Sequence, residues 1–403
     1  MRTCFVFIYP DGEKKAVPAG KLDYYPMEEA FIFQYGRKYL LHPKALPVDA
    51  ANLPLSSEAW RLSSDNLGAI RDSAPDYWGR LVIMKFSENT ELSEMDYLLA
   101  VNAERVGNLD FRSSLFEKEP ERRPPQCTEL PKLIIAAESL EKNEILTEDQ
   151  RAELALLYQG SSLGGARPKC VVEDEDGLWL AKFPSRGDTF NNAKIEFCTM
   201  KIASACGINI PEMRMETVAG QDVLLVRRFD RNADGTRIGY LSALSLLGIS
   251  EYDRDEFSYV RLAEKMRSFG AENDLPELFA RISFNIICRN TDDHPRNHGF
   301  LVKNEKIVLS PAFDVTPTRS TAGISSTARL AMIVGKNGRE GTLENLLSSA
   351  GSFGISMEEG KVIFEKQCET VTNTWRKIFH DARVSREDAE AFEYTFAKWG
   401  GTA

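Results

Sequence analysis

The chain has 403 residues, 43% of them hydrophobic, which is enough for two or three domains with buried cores. A formal net charge of -10 argues against a protein that coats nucleic acid by itself. No apolar run reaches about 18 residues, so the sequence predicts no membrane span. The seven cysteines are scattered and form no Cys-x-x-Cys pair, which is typical of the reducing cytoplasm.

The first part of the chain, up to about residue 120, alternates predicted strands and turns before it becomes helical. The N-terminus predicts a first strand, and residues 31–35 with 39–41 predict a hairpin. No catalytic cluster is found there. Residues 116–132 are charged and rich in proline, with little to bury, and predict a linker. We therefore expect a domain boundary near residue 120.

The second part combines a glycine-rich segment with a small antiparallel sheet. A helix ending near residue 158 leads to Gly160-Ser-Ser-Leu-Gly-Gly-Ala-Arg-Pro-Lys169, and hairpins are predicted over 170–183 and 213–226. The segment is neither a Walker A loop nor the Gly-x-Gly-x-x-Gly of ordinary kinases, so by itself it fits a mobile turn as well as a phosphate loop. Its position just before a hairpin is that of the phosphate loop in kinases.

Two charged residues in this part have both a structural and a functional interpretation. Lys182 lies in the second strand of the hairpin, where it would either face solvent at a sheet edge or contact nucleotide phosphates. Glu196 lies in the first turn of a helix predicted over residues 191–206. A carboxylate favours the helix dipole there in any protein, but kinases also use such a residue to hold the strand lysine. Residues 227–232 then leave the sheet as a predicted hinge.

The third part, from about residue 231, is predicted to be mostly helical and holds the densest polar cluster. A helix over 275–289 precedes Asn290-Thr-Asp-Asp-His-Pro-Arg-Asn-His-Gly299, and short strands follow up to residue 309. A further acid, Asp314, stands in an apolar setting. Closing helices are predicted over 358–379 and 386–399. A polar loop between buried elements is held rigidly, and such loops often carry function.

Two interpretations of the 290–299 loop explain only part of it. His294 and His298 have the spacing of a helical zinc pair, but Pro295 opposes a helix and the Glu of His-Glu-x-x-His is absent. A capped loop whose polar groups satisfy one another would explain Asn290 and Thr291. It would not explain why two acids and a second amide gather there.

A kinase catalytic loop explains the whole set. Asp292 would orient the acceptor hydroxyl and take its proton, while Asn297 and Asp314 would hold Mg²⁺ against the phosphates. Asp293 is adjacent, but kinases place the amide five residues after the base, and this spacing selects Asp292.

These motifs together resemble the HipA family of toxin serine/threonine kinases from bacterial toxin–antitoxin operons. The resemblance covers about residues 155–320. It rests on Ser161-Ser-Leu-Gly-Gly-Ala-Arg-Pro-Lys169, Ala181-Lys-Phe-Pro184, Asn191-Asn-x-x-x-Glu196, Arg228-Phe-Asp-Arg231, Asn290 to Phe300, and Phe313-Asp-Val315. The first part of the chain is similar in outline to the companion subdomain of the family, most clearly at residues 96–101 and 105–109.

The resemblance implies an α+β, two-lobed, protein-kinase-like fold of the HipA type. A small antiparallel sheet lobe would join a mostly helical C-terminal lobe, with an N-terminal α/β companion subdomain. The domains would be residues 1–120, 130–230 and 231–403. ATP and Mg²⁺ are the implied cofactors. The implied partners are a HipB-like helix-turn-helix antitoxin, through which alone the chain would meet DNA, and a protein substrate connected with translation, such as an aminoacyl-tRNA synthetase.

The resemblance also implies site residues. Asp292, Asn297 and Lys182 would be catalytic, and Asn297 and Asp314 would bind the metal. The ATP-binding residues would be Ser162, Gly164, Gly165, Ala166, Lys182, Glu196, Arg227, Phe229, His294, Asn297 and Asp314. Arg227 stands where some members carry an acid, so adenine would meet backbone only. Ser162, with Ser161 beside it, falls where family members carry a self-phosphorylated serine that inactivates the enzyme. The remaining alternative is a catalytically weak kinase-like module that chiefly partners a repressor.

Overall fold

The computed structural model of the chain describes residues 1–100, 104–119, 123–142, 147–161, 164–303, 306–319 and 327–397. The strands are β1 (Arg2–Ile8), β2 (Val17–Tyr25), β3 (Ala30–Tyr35), β4 (Ala59–Ser63), β5 (Leu109–Arg112), β6 (Lys169–Asp174), β7 (Gly177–Lys182), β8 (Met213–Val218), β9 (Gln221–Arg227), β10 (Gly239–Ser242), β11 (Gly299–Lys303), β12 (Lys306–Leu309), β13 (Ala328–Arg329) and β14 (Glu340–Gly341).

The α-helices are α1 (Arg37–Leu40), α2 (Ala69–Asp72), α3 (Tyr77–Ser87), α4 (Glu94–Ala100), α5 (Leu130–Lys142), α6 (Glu148–Gly160), α7 (Asn192–Ala205), α8 (Ala243–Leu247), α9 (Tyr259–Ser268), α10 (Leu275–Cys288), α11 (Leu343–Leu347), α12 (Met357–Asp381) and α13 (Arg386–Ala397). In the parts of the chain that the structure describes, no helix is long and apolar enough to cross a membrane.

The chain divides into two compact units, each assembled from separate stretches of sequence. Unit 1 consists of Met1–Gly187, Glu216–Ser250 and Leu301–Glu305. Unit 2 consists of Asp188–Met215, Glu251–Phe300 and Lys306–Ala403. The division into three domains that the sequence suggests stays a prediction.

The first sheet of unit 1 is antiparallel, with the strand order β4-β3-β2-β1-β5. The prediction that residues 39–41 form a strand is wrong, because β3 pairs with β2 and β4 while Tyr39 lies in α1. The Tyr39 hydroxyl donates to the Leu46 carbonyl at 2.6 Å, and the ring stacks on Tyr35. An apolar run of three residues cannot distinguish a helix from a strand, so these tertiary contacts decide.

The second sheet of unit 1 has the order β6-β7-β9-β8, and the predicted hairpins are confirmed. Helices α5 and α6 pack beside it around a core that includes Trp78, Leu157 and Trp179. The end of the predicted linker is held against this sheet. The backbone of Gln126 forms a parallel β-bridge with Glu173 of β6, and α5 begins four residues later at Leu130. Wherever the sequence alternates in a period of two, one face of each strand packs into this core.

Unit 2 is mostly helical, as predicted from the sequence. Helix α10 packs against α12, which also contacts α7 and α13. Most residues of α10 are buried, including Phe279, Ile282 and Ile286, so the helix is held on nearly every side. The polar loop that follows α10 therefore starts from a fixed point, and β11 begins directly after it at Gly299.

Candidate functional site

The polar loop begins where α10 ends in a left-handed residue. Arg289 has φ +57°, and its N–H donates to the Ile286 carbonyl at 3.3 Å. The next residue, Asn290, donates its N–H to the Asn285 carbonyl at 2.9 Å and its side-chain amide to the Asn285 side-chain oxygen at 3.1 Å. These bonds close the last turn of the helix and fix the direction in which the loop leaves it.

Asp293 is buried and ties the loop to two helices. Its Oδ2 accepts hydrogen bonds from Asn285 Nδ2 at 2.7 Å and from the Tyr259 hydroxyl, and lies 2.8 Å from His298 Nε2. Burial alone would raise the pKa of this carboxyl, but His298 and the hydrogen bonds outweigh it and hold the pKa below its ordinary value. Burial and the neighbouring carboxylate raise the pKa of Tyr259 far above normal. Asp293 is therefore an anchor of the loop.

Asp292, in contrast, is exposed. Its backbone carbonyl accepts hydrogen bonds from the His294 N–H at 2.8 Å and from Asn297 Nδ2 at 3.2 Å, and a short 3-10 helix runs from Pro295 to Asn297. The loop thus uses the backbone of Asp292 and leaves its carboxylate at the surface. This difference between the two acids supports the choice of Asp292 that the spacing suggested.

The segment that carries Asp314 is bonded to the start of the same loop. The Thr318 N–H donates to the Arg289 carbonyl at 3.0 Å, and the hydroxyls of Thr318 and Thr291 lie 2.6 Å apart. Asp314 itself is exposed and has φ +59°, a left-handed conformation that Asp adopts more readily than most residues. Unit 2 therefore brings Asp292, Asn297 and the Asp314 segment together.

A small cavity lies behind the loop, within unit 2, and both polar and apolar side chains line it. Its volume is about 10 Å³, and its lining includes Asn285, Asp293, Asn297, His298, Phe313 and Val315. A volume of this size is about that of one water molecule and excludes a nucleotide. The cavity matters because it places Asn297 and both neighbours of Asp314 around one void.

The oxygen atoms of this group suit a magnesium ion. Because Asn297 Nδ2 donates within the loop, the atom that Asn297 can offer a cation is Oδ1, and Asp314 adds an exposed carboxylate. Mg²⁺ prefers such hard oxygen ligands together with water and phosphate oxygens. The zinc interpretation gains no support, because His298 Nε2 is engaged by Asp293. Among the described residues, no three His, Cys, Asp or Glu side chains cluster as a zinc site would require.

The glycine-rich segment belongs to unit 1, and its predicted phosphosite Ser162 lies outside the described residues. Gly164, Gly165 and Ala166 are described. Gly165 has φ +112°, a conformation that residues with a Cβ rarely adopt, so this position favours glycine. The Gly165 N–H donates to Asp76 Oδ2 at 3.3 Å, and its carbonyl accepts from the Trp78 N–H at 3.2 Å. These contacts with the start of α3 were not predicted from the sequence.

The other predicted nucleotide-contacting residues divide between the units. Lys182 is half-buried in β7, where it is in register with Lys169 and Leu224 of the neighbouring strands. At the end of β9, the Arg227 guanidinium lies 5.3 Å from the Trp179 ring centroid, and Phe229 follows in the same unit. Glu196 is buried in α7 and His294 is half-buried in the loop, both in unit 2.

A buried ionic cluster behind the predicted hinge is a feature that sequence analysis missed. Arg228 Nη2 donates to Asp230 Oδ2 at 2.7 Å, and Arg231 Nη1 donates to the same oxygen at 2.8 Å. The Gly107 N–H also donates to this oxygen at 2.8 Å, and Arg228 Nη1 donates to the Glu104 carbonyl at 2.9 Å. The motif Arg228-Phe-Asp-Arg231 was visible, but its partner loop lies more than 100 residues earlier in the chain.

Comparison with known proteins adds the family context. The model of the HipA-like C-terminal domain matches residues 161–375. A curated protein of Sinorhizobium fredii (strain NBRC 101917 / NGR234), named "Putative kinase Y4mE", is 27% identical over 167 residues. That match covers 39% of this chain and 38% of the relative, so the chain spans well under half the length of that protein.

A solved structure resembles the whole chain. It is HipA of Shewanella oneidensis MR-1, from a toxin–antitoxin complex with HipB and operator DNA. The TM-score is 0.69 at 15% sequence identity, and the alignment covers 98% of this chain and 95% of that one. At this identity the likeness shows the fold alone. The α+β, kinase-like fold of the HipA type that the sequence predicted is confirmed.

Proposed function

This chain belongs to the family of proteins with a HipA-like C-terminal domain, and on that premise we propose that it is an ATP- and Mg²⁺-dependent serine/threonine protein kinase. The observation that carries the proposal is the 290–299 loop. It exposes Asp292, holds Asn297 by backbone and side-chain bonds, and is bonded to the Asp314 segment. The name of the Sinorhizobium relative, a kinase, agrees with phosphate transfer.

Each of the site residues of unit 2 has a definite part in this proposal. Asp292 would orient the acceptor hydroxyl and receive its proton, while the acceptor oxygen bonds to the γ-phosphorus of ATP and the bond to the departing ADP breaks. Asn297 Oδ1 and the Asp314 carboxylate would hold Mg²⁺, which would supply positive charge to the phosphate oxygens. Asp293 keeps the loop in place through Tyr259, Asn285 and His298, and these contacts hold the backbone of the adjacent Asp292. His294 lies beside Asp292 at the mouth of the site.

The remaining roles in the proposal belong to binding. Lys182 contacts the nucleotide phosphates. Backbone groups between Arg227 and Phe229 meet the adenine. The glycine-rich loop offers the backbone N–H groups of Gly164 and Ala166 to the phosphates, since the Gly165 N–H is engaged by Asp76.

The chain would act as the toxin of a toxin–antitoxin pair. The Shewanella HipA structure is described as a complex with HipB and operator DNA, which supports a helix-turn-helix antitoxin as partner. The net charge of -10 is consistent with contact to DNA only through that partner. The substrate would be a translation-related protein, such as an aminoacyl-tRNA synthetase. The seven cysteines all lie in described residues and form no disulfide, which supports a cytoplasmic location.

Replacing Asp314 with asparagine tests the metal site. Loss of the full carboxylate charge should weaken ATP binding in the presence of Mg²⁺ by about tenfold or more, while metal-free binding stays near that of the parent. Calorimetric titration of ATP with and without Mg²⁺ measures both. Asp381→Asn, an exposed aspartate of α12, is the matched control and should change neither value. An equal loss in both conditions would make Asp314 a structural residue.

Self-phosphorylation is expected at Ser162. The neighbouring serine is a poor acceptor in this structure, because Ser161 is buried and its hydroxyl donates to the Leu157 carbonyl at 2.7 Å. A phosphate at Ser162 would add nearly two negative charges to a loop proposed to face ATP, and so would repel the nucleotide. Mass spectrometry after incubation with Mg²⁺–ATP should find phosphate on Ser162 in the parent and none in Asp292→Ala. Modification of Ser161, or an unmodified loop in an active parent, would contradict this.

A further inference from the structure

Arg319, five residues after Asp314, is held by an aromatic and polar cluster in unit 2. Its guanidinium lies 4.6 Å from the ring centroid of Phe190 and 5.6 Å from that of Phe392, and these two rings meet edge to face at 4.9 Å. Its Nη2 donates to the Thr189 carbonyl at 2.9 Å and lies 3.5 Å from Asp388 Oδ1. One side chain therefore joins the Asp314 segment, the residues before α7, and α13.

The second carboxylate oxygen of Asp388 reaches the start of α7. Asp388 Oδ2 accepts the Asn191 N–H at 3.2 Å, and the Asn191 side chain accepts the Lys194 N–H at 3.0 Å as the N-cap of α7. Helix α7 carries Glu196 one turn later. An N-cap fixes where a helix begins, so a residue that holds the N-cap also fixes the first turn. Asp388, which is buried, occupies that position.

The other end of the connection reaches the catalytic loop. Thr318, directly before Arg319, donates its N–H to the Arg289 carbonyl and shares a hydroxyl contact with Thr291. Thr318 and Arg319 thus join the loop that carries Asp292 and Asn297 to the start of the helix that carries Glu196. Asp314 lies four residues before Thr318 in the same segment.

We propose that Arg319 and Asp388 are positioning residues by which α13 sets the Asp314 segment and the first turn of α7 for binding of Mg²⁺–ATP. This inference rests on the proposed kinase function. Neither side chain is assigned to touch the nucleotide or the metal. They act through the backbone of Thr189 and Asn191, which they contact directly, and through the chain that joins Arg319 to Asp314.

Helix α13 lies outside the part of the chain that the family model matches. The matched region ends at residue 375, whereas α13 spans Arg386–Ala397. The contacts of Arg319 and Asp388 combine a planar guanidinium near two rings with both oxygens of one carboxylate. Lysine could supply the charge of Arg319 but not a planar group that packs against the Phe190 ring.

The chain offers a matched control for this arrangement. Arg376 lies 4.5 Å from the ring centroid of Trp375 and donates to Glu393 of α13 at 2.8 Å. It makes the same two kinds of contact as Arg319 and likewise reaches α13, but it lies on α12 and has no contact in the described structure with the Asp314 segment. Arg376→Gln therefore removes an equivalent surface interaction from the same helix pair.

The experiment compares Arg319→Gln, Arg319→Lys, Asp388→Asn and the double variant Arg319→Gln/Asp388→Asn with the parent and with Arg376→Gln. Asparagine at 388 has one acceptor oxygen, so it cannot serve both Arg319 and Asn191. The first measurement is the Mg²⁺ concentration that gives half-maximal ATP binding, determined by calorimetry alongside metal-free ATP binding. The second is amide hydrogen exchange of residues 189–196 and 313–318 in the nucleotide-free protein.

Arg319→Gln and Asp388→Asn are each expected to need about tenfold more Mg²⁺ for half-maximal ATP binding, with metal-free ATP binding within about twofold of the parent. Saturating Mg²⁺ should restore binding, which it would not do for a protein that is merely less well folded. Amide hydrogen exchange should rise in residues 189–196 and 313–318. Arg319→Lys should need nearly as much Mg²⁺ as Arg319→Gln. The double variant should need no more Mg²⁺ than Arg319→Gln or Asp388→Asn alone, because the two residues act together. Arg376→Gln should behave as the parent.

Parent-like Mg²⁺ dependence in the Arg319 and Asp388 variants would overturn the inference, as would an equal effect of Arg376→Gln. Additive losses in the double variant would show that the two residues act separately and would also overturn it. Failure of the parent itself to bind Mg²⁺–ATP would overturn the proposed function, and that result is distinct because it needs no variant. Even then, the proposed hold of Arg319 and Asp388 on the start of α7 can be tested. Unchanged amide hydrogen exchange of residues 189–196 in the Arg319 and Asp388 variants would reject it.

Discussion

Asp292→Ala is expected to lower phosphate transfer by about 10²–10⁴-fold while the fold and ATP binding persist. The structure gives a reason why the substitution should be well tolerated. The hydrogen bonds that close the loop go to the backbone carbonyl of Asp292, which alanine retains, and the carboxylate itself is exposed. Proton acceptance and orientation of the acceptor hydroxyl would be lost together, since one group supplies both.

Transfer of ³²P from ATP to a serine-containing protein acceptor measures the effect, with unfolding temperature and ATP affinity recorded in parallel. A second readout comes from cells. Overproduced parent protein should arrest growth, a small DNA-binding antitoxin should relieve the arrest, and Asp292→Ala should cause none. A variant that transfers phosphate or arrests growth as well as the parent would reject Asp292 as the base. Arrest by an inactive variant would instead favour a weak kinase-like module that acts through its partner.

Much of the fold follows from local features of the sequence. Helix α7 was expected over residues 191–206 and is found at Asn192–Ala205, because Asn191 can cap its first turn and Gly207 can adopt the left-handed conformation that follows it. The hairpin of β6 and β7 follows equally from alternating apolar residues around an Asp-Glu-Asp-Gly turn. Such elements are predictable since their determinants lie within a few residues of one another.

The anchors of the candidate site could not be predicted in the same way. Asp292 and Asp293 are chemically identical in the sequence, and only spacing distinguished them. The burial of Asp293 depends on Tyr259, which lies 34 residues earlier, and on Asn285 in the preceding helix. The end of α10 was predicted at residue 289 and is found at Cys288, but the left-handed conformation of Arg289 was not predicted, because arginine rarely adopts it. Long-range hydrogen bonds decide such positions.

The ionic cluster of unit 1 shows the same limit and leads to a stability prediction. Replacing Asp230 with asparagine should lower the free energy of unfolding at neutral pH by about 3–5 kcal/mol, because the buried charges of Arg228 and Arg231 would lose their hydrogen-bonded carboxylate and keep that of Glu104, 3.5 and 3.7 Å away. Urea unfolding of parent and variant at pH 7 measures this difference. Asp381→Asn, which removes an exposed aspartate, should change stability by no more than about 0.5 kcal/mol.

The pH dependence of this difference identifies its origin. Burial by itself would raise the pKa of Asp230, but Arg228, Arg231 and the Gly107 N–H outweigh it and hold the pKa far below its ordinary value. A carboxyl with a lowered folded-state pKa stabilises the protein above its unfolded-state pKa of about 3.9, and this contribution declines as the pH falls towards the folded-state pKa. The gap between parent and Asp230→Asn should therefore be constant above about pH 5 and narrow steadily below about pH 4. A gap that stays constant down to pH 3 would mean that packing, and not the charge of Asp230, accounts for the loss of stability.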